Sequence, residues 1–314
     1  MHKDVNNKKV AIILGFYKGN KYLLEQLKSI VSQTHKNIKI FIFDDKSPNA
    51  ICESKIYSDQ KINSKVSIIN RKENIGFARN FLLGLKEVGF EFDYYAFSDQ
   101  DDIWEIDKIE KALKSIQSLN SSLPILYCSR TSYFNSDCSQ RIGASKDFKK
   151  KKCFKNALVQ NIAGGNTIVM NKKARDLVVK SLINKKYIAH DWWCYQLISA
   201  AGGKVIFDSK KSVRYRQHRN NIIGKNTSLV DKLNRFDSFF SGKYKTWCDI
   251  NIYNLYINKK LLSSDNLETL DDFANARNTK NFITKINLFL RSGVYRQSKI
   301  ETLLLIIGLL LNKI

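Results

Sequence analysis

The stretch YYAFSDQDDIW, residues 94–104, decides the fold of this chain. Its apolar start is typical of a short buried strand, and the strand ends in the polar run from Ser98 to Asp102. Two earlier stretches have the same form: VAIILGFYKGN at residues 10–20 and IKIFIFDDKSP at residues 38–48. Each is an apolar strand followed at once by a polar turn, so we expect the three to lie in one sheet.

Helical segments separate these strands. Apolar residues recur at helical spacing after Asn20, which we expect to cap that helix, and again across residues 76–88. Residues 66–69 add a further strand. Strands alternating with helices predict an α/β fold with a mostly parallel sheet. Such sheets bind ligands beyond the carboxyl ends of their strands, so the turns at residues 16–20, 44–45 and 99–102 should meet at one edge.

The pattern changes after residue 109. We expect a helix at residues 108–119, a strand at 125–134, an apolar strand after Gly164 and Gly165, and a helix at 189–201. Residues 204–207 and 213–216 predict two short strands. From about residue 227 onward the sequence is helical and rich in Lys, Asn and Leu.

Charge and composition narrow the possible partners. The 314 residues carry a net charge of +24, which favours anionic partners such as phosphorylated substrates, anionic lipid or nucleic acid. The six cysteines lack zinc-site spacing and are expected to be free thiols. The first residues contain no apolar signal region, and the apolar run 303–311 is about half of what a spanning helix needs. We therefore expect a cytoplasmic protein.

Three carboxylates lie within four residues at Asp99, Asp101 and Asp102. Like charges this close repel, so a cation or neighbouring Lys and Arg side chains must neutralise them. Carboxylate oxygens suit Mg²⁺ or Mn²⁺, and a metal with open positions can stabilise a departing diphosphate. The alternative is a solvated acidic turn that caps the helix beginning near Ile106.

Several ordered motifs resemble family 2 glycosyltransferases. They are the stretch from residue 10 to residue 49, ENIGFARNFLLGL at 73–85 and YYAFSDQDDIW at 94–104. The later motifs GGNTIVMN, HDWWCYQLISAAGGKVIFD and VRYRQHRNNIIG, which begin at residues 164, 190 and 213, resemble the rhamnosyltransferase-like branch. The resemblance implies a GT-A, Rossmann-like fold with helices on both sheet faces. It implies a GT-A domain at residues 1–225, with nucleotide-sugar and acceptor halves at about 8–110 and 111–225, and a helical extension at 226–314.

The resemblance also implies residue roles. Asp45 would read the nucleobase or its ribose, Arg79 would lie near the base, and Asp99 would hold the ribose side. Asp101 would be the direct ligand of Mn²⁺ or Mg²⁺. The further residues expected to bind the nucleotide sugar are Phe16, Tyr17, Asn20, Gly165 and His218.

Asp191 matches the acidic general base of the family. Its usual neighbour is a Glu, whereas His190 precedes it here. Asp191 would take the proton from an acceptor hydroxyl while that oxygen attacks the anomeric carbon with inversion. The alternative for Asp191 is an acidic residue that is favoured at a helix N-terminus by the macrodipole.

For the other candidate binding residues, a purely structural role is the alternative. Gly165 permits close backbone approach to a sugar, or it belongs to an ordinary turn. Trp192 and Trp193 could stack on an acceptor sugar, or they belong to the core. His218 could touch the metal or the diphosphate, or it is a surface residue in a basic strand end. Residues 303–311 could pack on the domain or lie in a bilayer interface.

The resulting prediction is an inverting glycosyltransferase that moves rhamnose from dTDP-L-rhamnose to a growing cell-surface glycan or a lipid-linked acceptor. Alternatives are a UDP-galactose or UDP-glucose transferase of the same fold, and a non-catalytic member that binds sugar nucleotides. Nucleic acid is not an expected partner because the motifs of such proteins are missing from the sequence. A lipid-linked acceptor would place the protein peripherally on the inner face of the membrane.

Overall fold

A computed structural model describes residues 5–49, 51, 53–119, 122–218 and 242–314. The predicted boundary at residues 225 and 226, and the helical prediction for residues 227–241, lie outside these residues. One mixed sheet holds all nine described strands. They are β1 (Val10–Phe16), β2 (Ile38–Asp44), β3 (Val66–Asn70), β4 (Tyr94–Ser98), β5 (Ile103–Trp104), β6 (Ile125–Phe134), β7 (Arg141–Ala144), β8 (Val169–Asn171) and β9 (Lys204–Arg216).

The sheet order is β3-β2-β1-β4-β8-β6-β9-β5, with β7 paired to β6. The pairs β3-β2, β2-β1 and β1-β4 are parallel, as the alternation of strands and helices predicts. Strand β8 is antiparallel to both β4 and β6, whereas β9 runs parallel to β6. The four strands β1 to β4, which pair in parallel with one another, therefore lie in the half of the chain in which the sequence predicted nucleotide-sugar binding.

Twelve α-helices flank the sheet within the described residues. They are α1 (Asn20–Val31), α2 (Glu53–Tyr57), α3 (Gln60–Asn63), α4 (Phe77–Glu87), α5 (Lys108–Gln117), α6 (Phe154–Ala157), α7 (Lys172–Lys180), α8 (His190–Ala200), α9 (Lys243–Ile257), α10 (Ser264–Asn278), α11 (Phe282–Ser292) and α12 (Lys299–Leu310).

Two details of the sequence prediction are wrong. Asn20 is the first residue of α1, and Gly19 occupies the capping position before it. The two short strands expected at 204–207 and 213–216 are one strand, β9. Its polar middle suggested a turn, but irregular pairing with β6 around Arg130 accommodates the extra residues without ending the strand.

The core has two parts, and one of them includes the C-terminal helices. Leu255, Phe273 and Leu309 from these helices belong to the same buried cluster as Phe81 of α4 and Trp192 of α8. The other cluster joins α1 and α5 to the sheet. The C-terminal helices thus cover side chains of the GT-A region instead of packing only on one another.

Helix α12 packs with one side only. Leu305 and Leu309 are buried, whereas Leu303, Ile307 and Leu311 are exposed. Among the described residues, no helix combines the length and the hydropathy needed to cross a bilayer. Packing therefore explains half of the apolar run 303–311 and leaves the other half in contact with solvent.

Candidate active site

The polar turns after β1, β2 and β4 meet at one edge of the sheet. Phe16 at the end of β1 is in register with Asp44, and Leu14 is in register with Ser98. The Gln100 side chain links two of the turns: its Oε1 accepts from the Tyr17 N–H at 2.7 Å, and its Nε2 donates to the Tyr17 carbonyl at 2.9 Å. The predicted convergence of these turns is confirmed.

Asp45 joins the second turn to the start of α4. Its two carboxylate oxygens accept from the backbone N–H groups of Ile75 and Gly76 at 2.8 and 2.9 Å. The Asn74 side chain donates to the Asp45 carbonyl at 2.9 Å. Asp45 is buried and shapes the loop before α4, so its predicted contact with a nucleobase or ribose stays a prediction.

Asp191 of α8 interacts electrostatically with the carboxylates that follow β4. Burial and the negative charges of Asp101 and Asp191 raise the pKa of Asp99 to about 7. Asp99 and Asp101 share the turn after β4, whereas Asp191 comes from α8; the Gly165 N–H, which donates to Asp191, and the Asn166 side chain, which donates to Asp102, connect the two regions. A positive group placed among these carboxylates would be strongly stabilised.

Asp101 is contacted by two residues at the C-terminal end of β9 and just beyond it. The His218 Nε2 and the Asp101 Oδ2 are 2.7 Å apart, and the Arg216 Nε donates to the Asp101 carbonyl at 2.8 Å. The His218 ring stacks on Tyr22 of α1 with centroids 5.1 Å apart. The structure thus places His218 beside the predicted metal ligand and not at a free surface.

Asp102 is completely buried behind this turn. Its Oδ2 accepts from the Asn166 Nδ2 at 2.6 Å, and its Oδ1 accepts from the Arg216 N–H at 3.3 Å. The fully buried Lys108 donates from Nζ to the Asn166 carbonyl at 2.8 Å and lies over the Trp104 ring, 3.1 Å from its centroid. Burial lowers the pKa of Lys108 well below its usual value, while Asp102 and Asp99 oppose that shift.

Asp191 lies in the first turn of α8, where it is 7% exposed. Its Oδ1 accepts from the Trp192 N–H at 2.7 Å, and its Oδ2 accepts from the Gly165 N–H at 3.1 Å. Burial raises the pKa of Asp191 to about 6, against the opposing effect of these hydrogen bonds. A carboxylate with this pKa is ionised at neutral pH and is basic enough to accept a proton.

His190 is a buried, neutral residue. Its ring stacks on Phe81 with centroids 4.0 Å apart and meets Phe97 edge to face at 4.9 Å. Neither ring nitrogen has a hydrogen-bond partner among the described residues, and burial lowers the pKa of His190 to about 3. His190 therefore does not replace the missing acid, and Asp191 is the only carboxylate of this pair.

Gly165 is required by its neighbours on α8. A Cβ at this position would lie 2.6 Å from the His190 Nε2 and 3.6 Å from the Asp191 Cβ. The close approach predicted for Gly165 is thus present, but it is an approach to α8. Only glycine lets the Gly165 N–H reach the Asp191 carboxylate while the His190 ring keeps its place.

Other predicted residues lie elsewhere. Trp192 and Trp193 are buried, and their indole N–H groups donate to the Ala157 carbonyl at 2.7 Å and the Ser181 hydroxyl at 3.0 Å. Their burial corrects the prediction that they stack on an acceptor. Arg79 lines a cleft of about 200 Å³ between α4 and residues 182–187.

Phe16 and Asn20 differ in what they can offer a ligand. The Phe16 side chain is buried in the core, so only its backbone faces the turns. Asn20 is exposed at the start of α1.

Sequence reasoning missed Lys108, Asn166 and Arg216. Asn166 belongs to the quoted motif GGNTIVMN, and the only local indication of its role was a polar amide side chain in an otherwise apolar stretch. Lys108 and Arg216 resembled ordinary basic surface residues, because their burial depends on contacts between elements far apart in the chain. A lysine in the first turn of a helix, where the macrodipole disfavours a positive charge, is the one local feature that could have drawn attention.

Within the described residues, no three His, Cys, Asp or Glu side chains form a ready metal-ligand set. The donors nevertheless fit a hard divalent ion. Asp101 is partly accessible, it belongs to a group of repelling carboxylates, and His218 shares only its Oδ2. A metal there would take its remaining ligands from a diphosphate and water.

Comparisons with known proteins identify the family of the chain. Residues 11–178 match the family model described as Glycosyl transferase family 2. The chain is 31% identical over 307 residues to the dTDP-rhamnosyl transferase RfbG of Shigella flexneri, an alignment that covers 94% of this chain and 98% of that protein.

Two solved structures share the fold. The crystal structure of S. aureus TarS 1-349 in complex with UDP-GlcNAc has a TM-score of 0.57 at 14% identity, covering 90% of this chain and 81% of that one. The mannosyltransferase PcManGT from Pyrobaculum calidifontis, in complex with GDP-Man and Mn²⁺, has a TM-score of 0.52 at 11% identity, covering 92% and 87%. The family match over more than half of the chain, and the relative aligned along nearly its whole length, show that this protein belongs to glycosyltransferase family 2 and has the GT-A fold.

Proposed function

We propose that this glycosyltransferase inverts the anomeric carbon of a nucleotide sugar and uses Asp191 as its base. The observation that carries the proposal is the pair of hydrogen bonds from Gly165 to Asp191 and from Asn166 to Asp102, which brings the start of α8 next to the carboxylate turn at the carboxyl end of β4. One carboxylate can accept a proton, and the others can hold the positive groups that a diphosphate leaving group needs.

Asp191 is held in place for this role. Two backbone N–H groups fix its orientation, and burial keeps its pKa near 6. In the proposed reaction the acceptor oxygen gives its proton to Asp191 as it bonds to the anomeric carbon, and the bond to the nucleoside diphosphate breaks on the opposite face. No second carboxylate is needed, which agrees with the neutral state of His190.

We propose Asp101 as the direct ligand of Mn²⁺ or Mg²⁺, with His218 beside it. A bound divalent ion would supply charge stabilisation to the diphosphate. His218 then has two interactions in this site, a ring stack on Tyr22 and a hydrogen bond to Asp101, which together orient the carboxylate. Asp99 is proposed to contact the ribose side of the donor.

For the donor we propose dTDP-L-rhamnose. The support is the RfbG relative, whose printed name is dTDP-rhamnosyl transferase and which aligns along 98% of its length. A UDP-hexose remains the alternative donor because the same scaffold accommodates several nucleotide sugars. A second candidate is a non-catalytic member that binds the donor without transferring its sugar, since His190 stands where the family usually has a Glu.

For the acceptor we propose a hydroxyl of a cell-surface glycan or a lipid-linked glycan at the inner leaflet. Helix α12 supports this location, because one side of it is apolar and exposed on a chain of net charge +24. Attraction to anionic lipid contributes on the order of 1 kcal/mol per basic residue near the surface. The exposed apolar residues of α12 and its C-terminal end are Ile300, Leu303, Ile307 and Leu311.

A thermal-shift panel tests the donor, and a hydrolysis assay tests the activity. The panel compares dTDP-L-rhamnose, UDP-galactose and UDP-glucose with and without Mn²⁺, since a true donor raises Tm by binding only the folded protein. Release of dTDP by the wild type, together with loss of that release in Asp191→Asn, would support the proposed enzymatic activity. A donor that raises Tm without any release would instead support the non-catalytic candidate.

A further inference from the structure

One short turn joins the two chemical parts of the site. Residues Gly165–Thr167 form a single 3-10 turn between α6 and β8. On one side the Gly165 N–H donates to Asp191; on the other the Asn166 side chain donates to Asp102. Asp191 and Asp102 come from elements far apart in the chain, and the two hydrogen bonds to them start from adjacent residues.

The turn itself is rigidly held. Thr167 is fully buried; its hydroxyl donates to the Gly164 carbonyl at 2.7 Å and accepts from the Ser129 N–H at 3.2 Å. The Asn166 carbonyl accepts from the buried Lys108 Nζ at 2.8 Å. The turn is therefore tied to neighbouring elements by buried hydrogen bonds along its length.

Asp102 continues the connection towards Asp101. Its second oxygen accepts from the Arg216 N–H, and the Arg216 guanidinium donates from Nε to the Asp101 carbonyl. The same guanidinium also donates to the Ser136 carbonyl at 2.8 Å. A continuous path of hydrogen bonds thus runs from the Asp191 carboxylate to the backbone of Asp101.

We propose that Asn166 and Asp102 are positioning residues that fix the separation between the Asp191 carboxylate and the Asp99–Asp101 turn. The inference rests on the proposed function, because the separation matters only if Asp191 and Asp101 act on the same sugar nucleotide. Neither residue needs to touch substrate: both are buried, and both act through Gly165 and Arg216. Misplacing a catalytic group by about 1 Å can reduce turnover about 100-fold.

The test uses an exchange of the two side chains in the full-length protein. In Asn166→Asp two carboxyl groups face each other across the 2.6 Å contact, and the amide N–H donor to Asp102 is lost. In the double variant Asp102→Asn/Asn166→Asp the amide introduced at position 102 can donate to the carboxylate introduced at position 166. The oxygen of that amide can still accept from the Arg216 N–H. The exchange keeps the net charge and the numbers of donors and acceptors.

We expect Asn166→Asp to lower kcat for hydrolysis of dTDP-L-rhamnose by about 10- to 100-fold, and KM to change by less than about threefold. The double variant should recover at least about tenfold of that loss. Hydrogen exchange at residues 164–168, measured without donor or metal, should speed up in Asn166→Asp and return towards wild type in the double variant.

Asn171→Ala is the matched control. It removes a buried asparagine that binds the Leu123 carbonyl and the Ile125 N–H, away from the carboxylates, so it should lower stability but leave kcat unchanged. If Asn166→Asp does not fold, Asn166→Ala replaces it in the same measurements.

The outcomes separate the two proposals. No release of dTDP by the wild type, or full release by Asp191→Asn, would refute the proposed function. Release that is lost in Asp191→Asn but unchanged in the Asn166 variants would overturn the positioning inference alone. The positioning inference would also be overturned if turnover fell in Asn166→Asp, the double variant did not restore it, and the rates of hydrogen exchange at residues 164–168 stayed unaltered.

Discussion

Replacing Asp191 by Asn tests both the proposed base and the electrostatics of its surroundings. The substitution keeps the shape of the side chain and an oxygen that can accept from the Trp192 N–H, but it removes the proton acceptor. We expect turnover to fall by about 10²- to 10⁴-fold, the usual contribution of a positioned base. Binding of the nucleotide sugar, measured by calorimetry, should be unchanged.

The same substitution has a pH-dependent effect on stability. Folding raises the pKa of Asp191 from 3.8 to about 6, so the folded protein binds this proton more tightly than the unfolded chain does. The resulting stabilisation is fully present below the unfolded pKa and is lost as pH rises through the folded one. A shift of about two units corresponds to about 3 kcal/mol in the free energy of unfolding.

The measurement is urea unfolding of wild type and Asp191→Asn at about pH 4 and about pH 8. Titrating groups that do not interact with Asp191 cancel in the difference between the two proteins. Asp99 does not cancel, because loss of the Asp191 charge lowers its pKa, and this change also favours the variant at the higher pH. Relative to wild type, the variant should be more stable at the higher pH than at the lower by up to about 3 kcal/mol. A stability difference that does not change with pH, or turnover within about tenfold of wild type, would refute the reasoning.

Three further variants probe the site and the surface. Asp101→Asn should keep the fold and abolish transfer in Mn²⁺, as measured by release of nucleoside diphosphate. Gly165→Ala brings a Cβ to 2.6 Å from the His190 Nε2, so it should destabilise the protein by about 1–3 kcal/mol in a thermal melt and reduce turnover. Binding to anionic vesicles, measured by sedimentation at low and high salt, should weaken with salt and in Leu303→Gln/Ile307→Gln, which leaves the buried side of α12 intact.

Matched controls make these outcomes decisive. Ile183→Gln changes an apolar residue outside α12 that is more exposed than Leu303 or Ile307, and it should not affect vesicle binding. Near-normal turnover of Asp101→Asn would contradict its role as metal ligand, and a Gly165→Ala protein with wild-type Tm would show that the His190 ring can move aside. If no vesicles bind at low salt, the proposed membrane location is wrong.

Local patterns were enough to predict the parallel half of the sheet. Apolar runs ending in polar turns identified β1, β2 and β4, and the geometry of parallel sheets brought Asp44 and Asp99 to the same edge. These inferences succeed because each strand and the turn that follows it lie in one short stretch of sequence. The apolar side chains of that stretch are enough to indicate that the strand is buried.

The remainder depends on long-range contacts that no local pattern contains. The polar middle of β9 looked like a turn, but Asp208 and Lys211 keep their pairing with β6 through an irregular register. From its sequence Trp192 could equally have faced a sugar, but it is buried and meets the ring of Trp247 of α9 edge to face, with centroids 6.4 Å apart. The burial of Lys108 follows from Asn166, which is 58 residues further along the chain.

The core shared by the C-terminal helices and the GT-A region has a genetic consequence. Phe273 of α10 is fully buried in the same cluster as Trp192, the neighbour in sequence of the proposed base Asp191. Replacing such a side chain with a small one typically destabilises a protein by about 3–5 kcal/mol, which is enough to deplete the folded population in a cell. A screen for mutants that lack the proposed glycan product would therefore recover changes in α10 as readily as changes at the carboxylates. The two classes would be distinguished by protein abundance, which falls only in the first.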